Sequence, residues 1–248
     1  MNMKIGRFLV DGKIATGMVE GDIAVITGRE VMLENLIFLP PSVPKKIVCV
    51  GLNYKDHAAE LGMELPAEPV IFLKPTSALN SHKGNIVLPP QSKRVDYEGE
   101  LAFVIGKKGK NIKREDASQY ISGLTCLNDV TARDIQERDV QWTRAKGFDT
   151  FAPAGPWIST LDEFKNLEEL DIRITLRKNG ETMQDSTTKN LIFHIPEIVE
   201  FISGIMTLEP GDIISTGSPP GNGHLKKGDV VELSIEGIGT LKNYVKKA

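Results

Sequence analysis

The sequence holds little material for soft-metal or thiol chemistry, with two cysteines and four histidines in 248 residues. Cys49 lies in the apolar run Ile47 to Val50 and Cys126 beside Leu124 and Leu127. Both read as buried small hydrophobes in a reducing compartment. No His-Glu-x-x-His pattern is present, so a histidine-rich zinc site has no support. No apolar run approaches the roughly 18 residues of a membrane span. Met1 to Val10 is too short, and too broken by Lys4 and Arg7, to read as a signal peptide. The expectation is a cytoplasmic protein with no membrane partner. A formal net charge of −3 gives no overall attraction to nucleic acid, so no nucleic-acid partner is expected and any field for an anionic ligand must be local. Gly221-Asn222-Gly223 and Gly237-Ile238-Gly239 lack the strand, helix and further glycines of a dinucleotide fingerprint and read as turns. Lys107, Lys108, Lys110, Lys113 and Arg114 read as a solvated strand end.

What is present is a succession of strands. Arg7 to Val10, Ile14 to Val19 and Ile23 to Ile26 are separated by Asp11-Gly12 and Glu20-Gly21-Asp22, the pattern of a small β meander. Pro40, Pro41 and Pro44 follow, which suggests a boundary: residues 1–44 as a small N-terminal β domain, and 45–248 as the main domain. Further strands are expected at Ile47 to Val50, Val70 to Leu73, Leu101 to Ile105, Asp212 to Ser215 and Val230 to Ile235. Asn179-Gly180 marks a hairpin between Ile172 to Arg177 and Glu181 to Ser186. The clearest helix begins near Pro196 and carries Ile198, Phe201, Ile202 and Ile205 at helical spacing. Strands and helices do not alternate regularly, so the expected class is α+β with mixed sheets and short helices.

Two segments carry candidate chemistry. Glu98-Gly99-Glu100 opens the apolar run Leu101 to Ile105, and residues two apart on a strand share a face. Two carboxylates that close require a proton or a cation between them, and oxygen ligands favour Mg²⁺, Mn²⁺ or Ca²⁺ over zinc. Asp129, at the end of the run Ile121 to Leu127, is the candidate third ligand. Spacing alone also describes a solvated strand face. His57 and Glu60 are three apart in a short helical stretch, which lets a carboxylate orient an imidazole as a general base. An ordinary surface pair has the same spacing.

Several segments in order resemble the fumarylacetoacetate hydrolase family. They are Ile47 to Tyr54 with His57 and Glu60, Phe72-Leu73-Lys74-Pro75, Asp96 to Glu100, Asn128 to Asp134, Lys146 to Asp149, and Ser215-Thr216-Gly217. The resemblance covers residues 45 to 248. It implies a mixed sheet roll assembled as a homodimer, with the meander as a variable appendage. It also implies Glu98, Glu100 and Asp129 as ligands of magnesium (manganese or calcium as alternatives), and His57 and Glu60 as a catalytic dyad. Lys146 is implied as a substrate and enolate contact, and Arg133, Gln136 and Thr216 as substrate-binding positions. Leu52 departs from relatives that carry arginine before Asn-Tyr.

The implied activity is metal-dependent chemistry on a small 2-oxo or 2-hydroxy-dienoic acid. Hydrolytic carbon–carbon cleavage of an acylpyruvate through an enolate held on the metal is expected first. Isomerisation of 2-hydroxy-dienedioates and decarboxylation of oxaloacetate reach the same enolate. A noncatalytic calcium-binding module is the alternative of another class, and it would want a closed shell of six to eight oxygens.

Overall fold

The computed structural model describes residues 3–164 and 166–248. Its first four strands, Lys4–Val10, Lys13–Glu20, Ile23–Ile26 and Arg29–Met32, form the expected meander, each antiparallel to the next. The reversals fall where Asp11, Gly12, Gly21, Thr27 and Gly28 adopt positive φ. Phe8, Val19, Ala24, Ile26, Leu36 and Phe38 form a small core of their own. Lys4 and Ile5 pair with Ser159 and Ile158, so the meander's hydrogen bonding continues into the large sheet.

Beyond that junction the large sheet runs Ala152–Ser159, Ile121–Asn128, Gly99–Ile105, Ile213–Ser215, Ile47–Gly51 and Val70–Lys74. Along this path neighbours are antiparallel except Ile213–Ser215 against Ile47–Gly51, which are parallel. A second sheet orders Glu181–Thr187, Arg173–Lys178, Val230–Ile235, Gly239–Lys247 and Asn85–Leu88. Asn179 and Gly180 both lie at positive φ, as a two-residue hairpin turn requires. Leu101, Phe103 and Leu124 of the first sheet belong to one buried cluster with Leu176, Leu233 and Leu241 of the second. That apolar interior holds the layers together and leaves strand ends free to carry polar groups.

Among the described residues, four α-helices complete the α+β architecture: α1 (Lys55–Leu61), α2 (Arg133–Gln136), α3 (Thr143–Lys146) and α4 (Ile195–Ile205). Pro196 occupies the first turn of α4, and Ile195, Ile198, Val199 and Ile202 form its buried face. Ile205, expected on that face, is exposed instead because it ends the helix. No helix among the described residues is long and apolar enough to cross a membrane.

Candidate active site

The site is built where two antiparallel strands end together. Gly99 and Glu100 pair with Asn128 and Leu127, so the residues just outside that ladder, Glu98 and Asp129, are neighbours. Asp129 N donates to Glu98 O at 2.8 Å and Glu98 N donates to Asn128 Oδ1 at 2.9 Å. Glu98, Glu100 and Asp129 are 7, 2 and 1% exposed, and each offers an oxygen within 4.8 Å of the others. The solvated-face alternative for the two glutamates therefore does not describe this chain. Gly99 between them faces the second sheet, where an added Cβ would lie 2.9 Å from Leu176 and Leu233 methyls.

Three cationic side chains answer this charge. Lys146 Nζ donates to Glu98 Oε2 at 2.8 Å and also to Asp129 Oδ2. Lys74 Nζ donates to Asp129 Oδ1 and to Val130 O. Arg133 bonds Asp96 Oδ2 at 3.0 Å and Glu98 Oε1. Burial opposes ionisation of Glu98, but Lys146 and Arg133 outweigh it and hold the pKa at about 2. Burial would likewise lower the Lys146 pKa, yet Asp129 and Glu98 raise it, so the ammonium is firmly charged. Glu100 differs: its hydrogen-bond donors are Ser215 Oγ and Gly217 N, both neutral. Burial first, then Asp129 and Glu98, push its pKa well above the ordinary value. A buried carboxylate held by neutral donors, beside two others, is a donor set that fits a hard divalent cation.

Above the carboxylates lies a cavity of ≈ 320 Å³. Its wall includes all three carboxylates, His57, Arg133, Gln136 and Lys146, so seven of the nine expected site residues open on one space. His57 reaches it from α1, with Nδ1 2.9 Å from Glu60 Oε2. The Glu60 side chain is 46% exposed and lies behind the histidine, outside the lining. Gln136 Oε1 accepts from Arg133. Thr216 is also outside the lining: it is fully buried, and its hydroxyl donates to Leu101 O at 2.9 Å. Its neighbour Ser218 and the turn residue Asn222 line the cavity in that direction.

Sequence reasoning gave no role to Lys74, although it stands inside a quoted motif; a lysine closing an apolar strand reads as an exposed end. Phe72 and Trp142 were also missed. Their rings meet edge to face at 5.2 Å and wall the cavity, with Phe72 4.9 Å from Lys146 Nζ. Leu52, at φ 45°, lines the cavity immediately before Asn53, whose side chain bonds Phe193 and the Thr216 carbonyl.

Comparison with known proteins places this geometry. The sequence model described as fumarylacetoacetate (FAA) hydrolase C-terminal matches residues 46–246. An uncharacterized protein of Methanocaldococcus jannaschii is 62% identical over 203 residues, covering 82% of this chain and 84% of its own. A mitochondrial oxaloacetate tautomerase of Bos taurus is 42% identical over 248 residues, covering 96% of this chain and 78% of its own. The crystal structure of a 5-carboxymethyl-2-hydroxymuconate delta-isomerase from Mycobacterium smegmatis superposes with a TM-score of 0.90 at 42% identity, covering 99% of each chain.

Proposed function

Because this chain belongs to the fumarylacetoacetate hydrolase family, we propose that it moves a proton on a small 2-oxo carboxylic acid, as a tautomerase or double-bond isomerase. Glu98, Glu100 and Asp129 would hold the divalent cation, magnesium in the first instance. The observation that carries this reading is the convergence of three buried carboxylates and His57 on one cavity. The tautomerase and the delta-isomerase are named for shifts of protons and double bonds and support this reading, whereas a similar protein of Exiguobacterium antarcticum, at 34% identity, is named a fumarylacetoacetate hydrolase and keeps hydrolysis as the second reading.

A cation held by these carboxylates would supply Lewis acidity toward a keto oxygen. The side chains supply the rest. With Nδ1 on Glu60, the His57 ring has Nε2 left to take a proton from the carbon next to the keto group and return it elsewhere. Lys146, kept charged by its two carboxylates, places positive charge where the enolate oxygen develops. Phe72 and Trp142 exclude water on one side, which strengthens these interactions. Arg133 and Gln136 form the polar rim that orients the acid.

Hydrolytic cleavage of an acylpyruvate is the second reading, favoured by the His57–Glu60 pair, which could activate a water instead. One experiment separates the two. In heavy water with Mg²⁺, the protein should speed deuterium entry next to the keto group of oxaloacetate or pyruvate beyond a protein-free Mg²⁺ control. His57→Ala should return the rate to that control. Release of pyruvate from an acylpyruvate without such exchange would favour hydrolysis, and neither activity would defeat both.

A further inference from the structure

The two halves of the site come from distant parts of the chain, and both lean on the same strand of the second sheet. In Glu181–Thr187, Gln184 and Ser186 are two apart and so share a face, while Asp185 between them pairs outward with Arg173. Gln184 is 1% exposed. Its Oε1 accepts from Gly99 N at 2.9 Å, the amide between the two ligand glutamates. Its Nε2 points at Ser218 Oγ, Pro219 O and Asn222 Oδ1, all within 2.9 Å. Because Gly99 N can only donate, the orientation of the amide is fixed by the network. Gly99 is the residue that permits this approach, since a Cβ there would lie 3.1 Å from Oε1.

Ser186 serves the other half. Its hydroxyl donates to Asp56 Oδ2, which also accepts from Asn190 Nδ2 at 2.9 Å. Asp56 Oδ1 in turn accepts from His57 N at 3.0 Å. Only Ala58 of α1 is buried, so apolar packing does little to fix this short helix and polar tethers must do it.

We propose that the strand Glu181–Thr187 is a positioning element for catalysis: Gln184 sets the Glu98–Glu100 strand start and the Ser218–Asn222 wall, and Ser186, through Asp56, sets His57 against them. Neither residue lines the cavity. The proposal rests on the functional reading above, in that the distance it controls matters only if the carboxylates hold a cation and His57 transfers the proton. A displacement of about 1 Å between such groups costs on the order of 10²-fold in rate.

The test uses the full chain with Mg²⁺ and the best 2-oxo acid substrate. Ser186→Ala should keep the parent's Mg²⁺ affinity and KM while kcat falls about 10-fold, a partial displacement on the same scale. Ser186→Thr, which keeps the hydroxyl, should restore most of it. Gln184→Glu keeps the acceptor for Gly99 N but loses the donor to the wall, so KM should rise while Mg²⁺ affinity holds. Gln184→Met removes both and should weaken Mg²⁺ binding as well; if it fails to fold, Gln184→Glu still decides. Amide hydrogen exchange supplies a readout that needs no substrate. It should quicken in 55–61 for Ser186→Ala, and at 217–222 but not 55–61 for Gln184→Glu. Ser186→Ala with the parent's kcat, or with loosening spread through the whole fold, overturns the proposal. A parent inactive on every 2-oxo acid defeats the functional reading instead, and exchange with Mg²⁺ titration then decides whether the strand sets the two halves.

Discussion

The carboxylate cluster and His57 face the same cavity, but the cluster and the His57–Glu60 pair are built in opposite ways. Glu98, Glu100 and Asp129 sit at the ends of central strands, nearly closed to solvent and fixed by several hydrogen bonds each. His57 and Glu60 sit on a seven-residue helix with a single buried side chain. Burial makes the first half electrostatically strong, because charges removed from water are screened less than charges at the surface. Exposure lets the second half exchange protons with water. A site that must hold a cation and also move protons needs both environments, and the fold supplies one from the sheet and one from its rim.

This comparison predicts unequal costs. The largest effect is expected from Glu100→Ala, which removes the proposed ligand that has only neutral donors. Mg²⁺ affinity, followed by calorimetry, should fall by more than the ~10- to 100-fold typical of groups that merely support a ligand. Turnover should vanish with it. His57→Ala comes next: Mg²⁺ binding should be retained, with rate lost by the ~10²- to 10⁴-fold expected of a general base. Glu60→Gln should cost least, about fivefold or less, because an exposed pair contributes only ~0–1 kcal/mol. A Glu60→Gln defect as large as that of His57→Ala would erase the distinction between a buried and a solvated half.

The same contrast has a pH signature. Glu100 is raised, so in the metal-free protein it holds its proton at pH values where a free carboxyl is ionised. Cation binding requires the carboxylate and must expel that proton, so Mg²⁺ affinity should rise with pH through this window and level off above it. Glu98, held at about 2, is already ionised and releases nothing. Calorimetry in buffers of different ionisation enthalpy counts the proton. Up to one per Mg²⁺ is expected, and none after Glu100→Gln if binding persists at all.

Much of this was legible in the chain. The Glu98-Gly99-Glu100 alternation, the Asn179-Gly180 hairpin and the Pro196 helix each rest on local chemistry, and each is present. Spacing alone left the carboxylates ambiguous, because the groups that enclose them arrive from distant parts of the chain: Arg133 and Lys146 on Glu98, and Ser215 and Gly217 on Glu100. The strand Ala152–Ser159 was not anticipated, since Pro153 and Pro156 read as breakers; it pairs with Ile121–Asn128 across a register shift between Leu124 and Cys126. Lys74 and Gln184 were invisible for a related reason: a buried polar residue on a strand looks like a surface one until its partners are known.

The most direct test of the account is an oxalate titration, since oxalate presents paired oxygens like those of a planar enolate. Parent and Lys146→Met are each titrated with Mg²⁺ and with chelator. Methionine keeps the length of the side chain and removes the charge that Lys146 brings to Glu98 and Asp129. Oxalate is expected to bind the parent with Mg²⁺, to bind clearly more weakly to Lys146→Met although calorimetry shows Mg²⁺ still bound, and to bind little in either chelated sample. Binding that survives chelation undiminished, or that ignores the loss of the lysine charge, would contradict a site that holds an enolate jointly through a cation and Lys146.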